Sequence, residues 1–216
     1  MNDTDIDPSS LAPAHPPDLI KHNIEKYRRH LLPVIRHYIP KGKSLLDYGC
    51  GSGEMVAVAK EGGYRVAGLD PSHKAIDMAR GLLGSSCRLY ISASDIEEKF
   101  DAILCISVLQ YSTNPQKTLQ KIRSLLKPGG LLIIGYPNYN SLYQFLTRQQ
   151  FPKKWCVLPS IEGAIKITSH IGISDYIYSS SKKTVTKHIV FAIEKFFWLL
   201  KIDISYQKLD IFKFTE

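Results

Sequence analysis

Three glycines and two carboxylates form the pattern in this sequence that most clearly indicates chemistry. Gly49, Gly51 and Gly53 alternate in the segment SLLDYGCGSG, Asp47 precedes them, and Asp70 ends the later segment VAGLD. Glycines let the backbone turn tightly and lie against a ligand, and a helix that follows them presents free N–H groups to it. The two carboxylates supply hydrogen-bond acceptors at opposite ends. The pattern therefore predicts a cradle for a nucleoside.

The residue after the third glycine narrows the ligand. A dinucleotide-binding turn has the form G-x-G-x-x-G, in which the last glycine lets the helix close on the strand and the pyrophosphate lies on the helix terminus. Here that position is Glu54. A carboxylate repels a pyrophosphate, so we expect a ligand that is cationic or zwitterionic at this end. An NAD(P)-dependent oxidoreductase is thereby disfavoured.

The whole motif resembles that of the class I S-adenosylmethionine (SAM) methyltransferases. Two later segments, SDIEEKFDAILCISVLQY and LLKPGGLLIIGYPN, extend the resemblance, which covers residues from about 19 to 138. It implies SAM as the cofactor, with the glycine turn around the methionine portion, Asp70 on both ribose hydroxyls, and Asp95 with Ile96 at the adenine. The cofactor contacts it implies are Tyr27, Asp47, Gly49, Cys50, Gly51, Gly53, Asp70, Pro71, Asp95, Ile96 and Ile106.

Some of these positions have alternatives. Tyr27 is a candidate for a hydrogen bond to the methionine carboxylate, with packing on the sheet edge as the alternative. Asp95 has the alternative of a helix cap or a solvated acid. Cys105 and Ser107 should line the methionine side together with Ile106.

The sequence identifies no catalytic base. Quinone-type O-methyltransferases often have Glu-His at the end of the fourth strand, where this chain has Gln110 and Tyr111. Tyr111 is a candidate for orienting an acceptor, and His170 and His188 are candidates for deprotonating it, although an ordinary core or surface position is the favoured explanation for each histidine. The histidines and cysteines lack metal-ligand spacing, so no metal is expected. Motifs of adenine-N6 and cytosine-C5 methyltransferases are also lacking, which favours a small-molecule acceptor.

The order of elements predicts an α/β fold with a doubly wound, Rossmann-like, seven-stranded and mostly parallel sheet that has an antiparallel C-terminal strand. Strands are predicted at 44–48, 65–70, 88–91, 100–106, 131–136, 202–206 and 209–214. Helices are predicted at 19–38, divided or kinked by Pro33, and at 54–61, 72–83, 115–126, 141–150 and 183–201. KPGG at 127–130 should end the fourth core helix.

Length and composition predict one domain. Residues 1–18 contain four acids, four prolines and no Lys or Arg, which predicts a disordered leader. Residues 19–216 then form a single SAM-methyltransferase domain, with 139–201 as its acceptor-side region. Four unpaired-looking cysteines and the absence of a leader peptide or a long apolar run predict a cytoplasmic protein.

The charge of the chain leaves its acceptor open. The net charge is +8, and from residue 115 onward 15 basic residues face 6 acidic ones. We expect an enzyme that methylates an O or N atom of a small or lipophilic metabolite in a biosynthetic pathway. An RNA or protein methyltransferase that uses the basic C-terminal half is one alternative, although nucleic acid is disfavoured, and a non-catalytic SAM-binding scaffold is another. Phe191 and Trp198 are candidates for contact with a membrane surface, a second subunit or a lipophilic acceptor, with ordinary burial against the last strands as the alternative.

Overall fold

The computed structural model describes residues 15–137, 169–173 and 207–213. Its helices are α1 (Pro17–Tyr38), α2 (Glu54–Glu61), α3 (His73–Leu83) and α4 (Pro115–Ser124). Its strands are β1 (Ser44–Tyr48), β2 (Arg65–Leu69), β3 (Arg88–Tyr90), β4 (Phe100–Ile106), β5 (Leu126–Pro137), β6 (Ser169–Ile173) and β7 (Gln207–Lys213). Strands and helices alternate through the first five strands, as a doubly wound fold requires.

The sheet has the order β3-β2-β1-β4-β5-β7-β6. The first five strands in this order are mutually parallel. This confirms the predicted α/β fold with a Rossmann-like parallel sheet. Beyond β5 the backbone of β7 pairs antiparallel with both β5 and β6.

Alternate residues of the strands supply two apolar layers, because successive side chains point to opposite faces of a sheet. Leu45, Leu104 and Ile133 pack with α1 and α2 on one face. Leu46, Ile103 and Leu132 pack with the apolar side of α4 on the other. Strands covered on both faces lack the polar alternation of a solvent-facing sheet, which is why β4 is a nearly continuous apolar run.

Local signals in the sequence explain where the core helices begin. The Ser72 hydroxyl accepts a hydrogen bond from the Ala75 N–H and so caps α3, and the Asn114 side chain accepts one from the Lys117 N–H and caps α4. Pro115, in the first turn of α4, has no N–H that would need a partner.

Two details of the predicted elements are wrong, and one of two alternatives at Pro33 is excluded. Pro33 was predicted to divide or kink the first helix, and it does not divide it, because the helix is one element from Pro17 to Tyr38. The KPGG segment does not separate α4 from β5, because α4 ends at Ser124 and β5 already includes Lys127 to Gly130 beside a shift in register. The leader was predicted to extend to Asp18, but α1 includes Pro17 and Asp18 and His15 is also in place. The predicted elements at 141–150, 183–201 and 202–206 lie outside the described residues.

Candidate functional site

The glycine turn lies at the carboxyl ends of β1 and β2. The N–H groups of Gly49 and Cys50 both donate to the Leu69 carbonyl, at 2.7 and 2.9 Å, which ties the turn to the end of β2. Gly49, Gly51 and Gly53 have φ angles of 83°, 53° and 87°. Side chains with a Cβ rarely adopt such angles, so the turn depends on its glycines. Ligands of open α/β sheets bind at this edge.

Asp70 holds the turn from the other side. One of its carboxylate oxygens accepts a hydrogen bond from the Gly51 N–H and the other accepts one from the Ser72 N–H, both at 2.9 Å. Burial raises the pKa of Asp70, and these two bonds act in the opposite direction. Each carboxylate oxygen retains a second acceptor position. Asp70 can therefore keep the turn in shape and still bind a hydroxyl group.

Three carboxyl groups interact at the floor of the turn. Asp47 and Glu54 are only 4% and 3% exposed, and Asp70 is half-buried. Burial, with added repulsion from Glu54 and Asp70, raises the pKa of Asp47 to about 8. The raised pKa favours the protonated form of Asp47, in which the carboxyl group can donate a hydrogen bond as well as accept one. A cluster of this kind favours a ligand with positive charge and several hydrogen-bonding groups.

A contact that the sequence did not predict covers Glu54. His15 Nδ1 lies 2.6 Å from Glu54 Oε1, and the Asn23 side-chain amide donates to the same oxygen at 3.4 Å. The His15 N–H also donates to the Ser52 hydroxyl at 3.2 Å. His15 stands in a proline-containing segment without periodicity, so nothing in the sequence signals its place.

The space above the turn fits a ligand that lies on its backbone. A Cβ built on Gly51 meets no atom within 4 Å, whereas a Cβ on Gly49 would stand 2.3 Å from Cγ2 of Val108. The turn is thus packed against Val108 at Gly49 and open at Gly51. Together with Asp70 and the buried carboxyl groups, this open backbone fits the nucleoside and amino-acid portions of SAM.

The end of β4 forms another part of this edge. Ile106 is half-buried and Cys105 is fully buried, and Ser107 has a φ of 58°, the one positive value outside glycine among the described residues. Strained backbone of this kind is concentrated at functional sites. Gln110 is buried, and within the described part of the chain its Oε1 has no hydrogen-bond partner. Burial raises the pKa of Tyr111, which the Gln110 side chain partly offsets by hydrogen bonding.

The other predicted contacts occupy varied surroundings. Pro71 is half-buried directly after Asp70, Cys50 is buried in the turn, and Ile96 is 8% exposed. Asp95 is exposed at the end of a short 3-10 turn, where its N–H donates to the Ser92 carbonyl. Tyr27 packs beside the α1 and α2 side of the core, with the Lys26 ammonium 4.6 Å from its ring centroid. The roles of all these residues stay predictions.

The remaining candidates cannot be placed in the site. The backbone of His170 belongs to β6 and pairs with Phe212 of β7. His188, Phe191 and Trp198 lie outside the described residues. Within the described segments, no three His, Cys, Asp or Glu side chains come together as metal ligands would, and no helix has the length and apolar character to cross a bilayer.

A profile of the methyltransferase domain family matches residues 20–168. The chain belongs to this family. A ubiquinone biosynthesis O-methyltransferase of Coxiella burnetii is 33% identical over 124 residues, which are 51% of this chain and 53% of that protein. The chain thus spans about half the length of this curated relative. A protein of the same name from Stutzerimonas stutzeri is 25% identical over 72% of this chain and 75% of its own length.

Solved methyltransferase structures share the fold. The N-methyltransferase NodS of Bradyrhizobium japonicum, in complex with S-adenosyl-L-homocysteine, superposes with a TM-score of 0.63 at 17% identity over 96% of both chains. A SAM-dependent methyltransferase of Archaeoglobus fulgidus has a TM-score of 0.58 at 17% identity, over 91% of this chain and 99% of its own. At such identities the likeness concerns the fold alone.

Proposed function

We propose that this protein is an enzyme that transfers a methyl group from SAM to an O or N atom of a small metabolite, such as a lipophilic one. The observation that carries the proposal is the glycine turn that Asp70 holds through the Gly51 N–H, with open space above Gly51 and buried carboxyl groups beneath. Membership of the methyltransferase domain family supports it.

In methyl transfer from SAM, the main contribution of the protein is to position the acceptor against the methyl group. SAM supplies a methyl group that is already activated, because its sulfonium becomes a neutral thioether when the methyl leaves. Holding an acceptor in line with that group can account for roughly 7 to 11 kcal/mol of the barrier. The chain's residues therefore need to bind, orient and exclude water, and a general base adds about 10² to 10⁴-fold where the acceptor is a hydroxyl.

The relatives named ubiquinone biosynthesis O-methyltransferase support a phenolic acceptor. Gln110 cannot act as a base, and Tyr111 has a raised pKa, so neither residue removes a proton readily at neutral pH. We assign them to orientation of the acceptor, which an already acidic phenol allows.

The domain organisation belongs to the same proposal. Residues 19–216 form one methyltransferase domain whose sheet has seven strands, and the pairing of β7 with β5 and β6 supports this. Residues 139–201, between β5 and β7, form the acceptor-side region.

Calorimetry with SAM tests the cofactor assignment. We expect micromolar affinity, near −8 kcal/mol. Asp70→Ala should weaken it by about 1.5 to 3 kcal/mol, because charge-assisted bonds to the ligand and to the turn are lost. Asp77→Ala is the matched control, since Asp77 is an exposed acid of α3 whose carboxylate lies 3.0 Å from the Arg80 guanidinium.

Equal SAM affinity of the wild type and the Asp70→Ala variant would contradict the cofactor assignment. Transfer of labelled methyl from SAM to a panel of small phenols and amines then tests the activity. Tight SAM binding without transfer to any of them, but with transfer to RNA or protein, would favour the basic C-terminal half as the acceptor surface. Binding without any transfer would favour a scaffold.

A further inference from the structure

A residue that precedes the first helix also contacts the glycine turn. His15 makes two contacts with the turn: its backbone N–H donates to the Ser52 hydroxyl at 3.2 Å, and its Nδ1 lies 2.6 Å from Glu54 Oε1. Asn23 of α1 donates to the same carboxylate oxygen and also lies 3.3 Å from the imidazole nitrogen. Two segments distant in sequence are thus joined at the first residue of α2.

Glu54 needs a positive partner in this position. Its side chain is 4% exposed, and its charge already raises the pKa of buried Asp47. A buried carboxylate beside other acids is costly unless it is paired and hydrogen-bonded. The imidazole of His15 is placed to supply that pairing, because it adds a positive charge beside Glu54 when it is protonated. Its side chain is 34% exposed, so it exchanges protons with solvent.

We propose that His15 is a positioning residue of the cofactor site, which in its protonated form neutralises Glu54 and holds the glycine turn in the shape that accepts the amino-acid end of SAM. The inference rests on the proposed function. His15 acts through Glu54 and Ser52 and does not touch the reacting atoms.

The sign of the effect follows from the charges around the imidazole. Glu54 on α2 and Lys26 on α1 face His15, and Asp47 and Asp70 lie beyond Glu54. The bond to Glu54 raises the pKa of His15 against the effect of burial, and burial lowers the pKa of Lys26 to about 7. As pH rises, His15 and Lys26 lose their positive charges and Asp47 gains a negative one. The site becomes more negative, and the carboxylate of the ligand is repelled.

Linkage makes the effect reciprocal. If protonated His15 favours the ligand, then the bound ligand must favour protonated His15 and raise its pKa. A histidine that only pinned the N-terminal segment to α2 would have the same pKa with and without ligand. This difference separates the proposed role from a purely structural one.

The affinity experiment uses S-adenosylhomocysteine as the probe, because it has the same amino-acid end as SAM and no reactive methyl group. Calorimetry is run between about pH 5.5 and 8.5, where imidazole titrates, on wild type, His15→Gln, Glu54→Gln and the double variant. His22→Gln is the matched control, since His22 is an exposed histidine of α1. The amine of the probe, Lys26 and Asp47 also titrate in this range, but they do so in both members of each pair, with and without the His15 substitution, so the ratio of the two affinities isolates His15.

We expect His15→Gln to bind about tenfold more weakly than wild type at the acidic end, the size of coupling typical of a contacting charge pair, and equally at the alkaline end. In the Glu54→Gln background the same substitution should have no effect at any pH. A ratio independent of pH, or an equal loss with and without Glu54, would overturn the inference while leaving the proposed function intact. Wild-type protein that binds neither SAM nor the probe would overturn the proposed function itself.

A second measurement needs no variant and therefore does not depend on the folding of one. Proton NMR of the histidine rings in the wild type, with and without saturating S-adenosylhomocysteine, gives the pKa of His15 in each state. A higher pKa in the bound state supports the inference, and an unchanged pKa overturns it.

Discussion

Gly49 and Gly51 differ in what a methyl group would meet at each. Both have left-handed φ angles, but a Cβ on Gly49 would lie 2.3 Å from Val108 Cγ2, and one on Gly51 would lie in open space. Gly49→Ala should therefore lower the free energy of unfolding by about 2 to 4 kcal/mol, from overpacking together with backbone strain. Gly51→Ala should cost only the strain, about 1 to 2 kcal/mol, and should weaken SAM binding because its methyl occupies ligand space. Urea unfolding and calorimetry measure the two effects.

A rescue variant controls this comparison. Val108→Ala removes the methyl groups that a Cβ on Gly49 would contact. Val108→Ala should therefore lower the free energy of unfolding less in the Gly49→Ala protein than in the wild type. It should not change the effect of Gly51→Ala. A Gly51→Ala protein that binds SAM as the wild type does would show that the open space is not the cofactor site.

Protonation is a residue-scale property that the sequence left unspecified. The motif predicted that Asp47 and Asp70 lie beside the glycine turn, and both do. It did not predict that Asp47 is fully buried between two other acids, with a pKa of about 8, because burial depends on residues distant in sequence. The pairing of Glu54 with His15 was missed for the same reason. We expected Glu54 to act on the ligand directly, whereas its bonds are made to His15 and Asn23.

At the scale of elements, one carboxylate joins three neighbouring strands at the edge of the sheet opposite the glycine turn. Asp101 of β4 accepts hydrogen bonds from the N–H and the hydroxyl of Ser44 in β1, at 2.8 and 2.7 Å, and from the Lys127 ammonium in β5 at 3.0 Å. Burial alone would raise the pKa of Asp101, but these bonds outweigh it and hold the pKa below its ordinary value.

Asp101→Asn should lower the free energy of unfolding at neutral pH by about 1 to 3 kcal/mol, because charged bonds become neutral or are lost. The pKa of Asp101 is lower in the folded state, so its contribution is present above the unfolded value of about 3.9 and is lost as pH falls below it. The gap between the variant and the wild type, measured by urea unfolding, should therefore narrow from pH 7 to about pH 3. An equal gap at both pH values would contradict the assignment.

SAM affinity is the control for the stability effect of Asp101→Asn. The Asp101 bonds lie at the amino ends of parallel strands, and the site lies at their carboxyl ends, so Asp101→Asn should bind SAM as the wild type does. Asp77→Asn, which changes an exposed acid paired within α3, should alter stability by less than about 0.5 kcal/mol. A loss of affinity in the Asp101 variant would mean that the two edges are coupled.

The sequence predicted core elements best where local pattern and burial agree. β1, α2 and β4 have the predicted bounds, because an apolar run covered on both faces and a helix between glycines are both local signals. At Pro33 it left division and a kink open, and packing of Leu31, Leu32 and Ile35 on the sheet keeps the helix in one piece despite the lost hydrogen bond. The prediction that KPGG separates the fourth core helix from the next strand was wrong, because Leu126 already pairs with Phe100 and the strand includes the KPGG residues. Both outcomes depend on neighbours far away in sequence.

At the scale of the whole molecule, charge is divided unevenly along the chain. Residues from 115 onward have a surplus of nine basic residues, while residues 21–114, which include the glycine turn and Asp70, have 13 basic and 10 acidic ones. Within this cofactor half the acids at the turn are buried, so salt screens them little. The two halves should therefore respond differently to ionic strength.

Methyl transfer to a small phenol should accordingly change less than about twofold between 50 and 200 mM salt, because neither the buried carboxyl groups nor a neutral acceptor depends on exposed charge. An acceptor such as RNA would behave otherwise, since each phosphate contact adds to the salt dependence, and six to ten contacts lower affinity by about 10³ to 10⁵-fold over that range. Turnover of a phenol and binding of a labelled RNA oligonucleotide, measured on one salt series with sucrose at matched osmolarity as the control, separate the cases. A steep fall in RNA binding, with RNA methylated and the phenol untouched, would assign the basic half to the acceptor and overturn the small-molecule proposal.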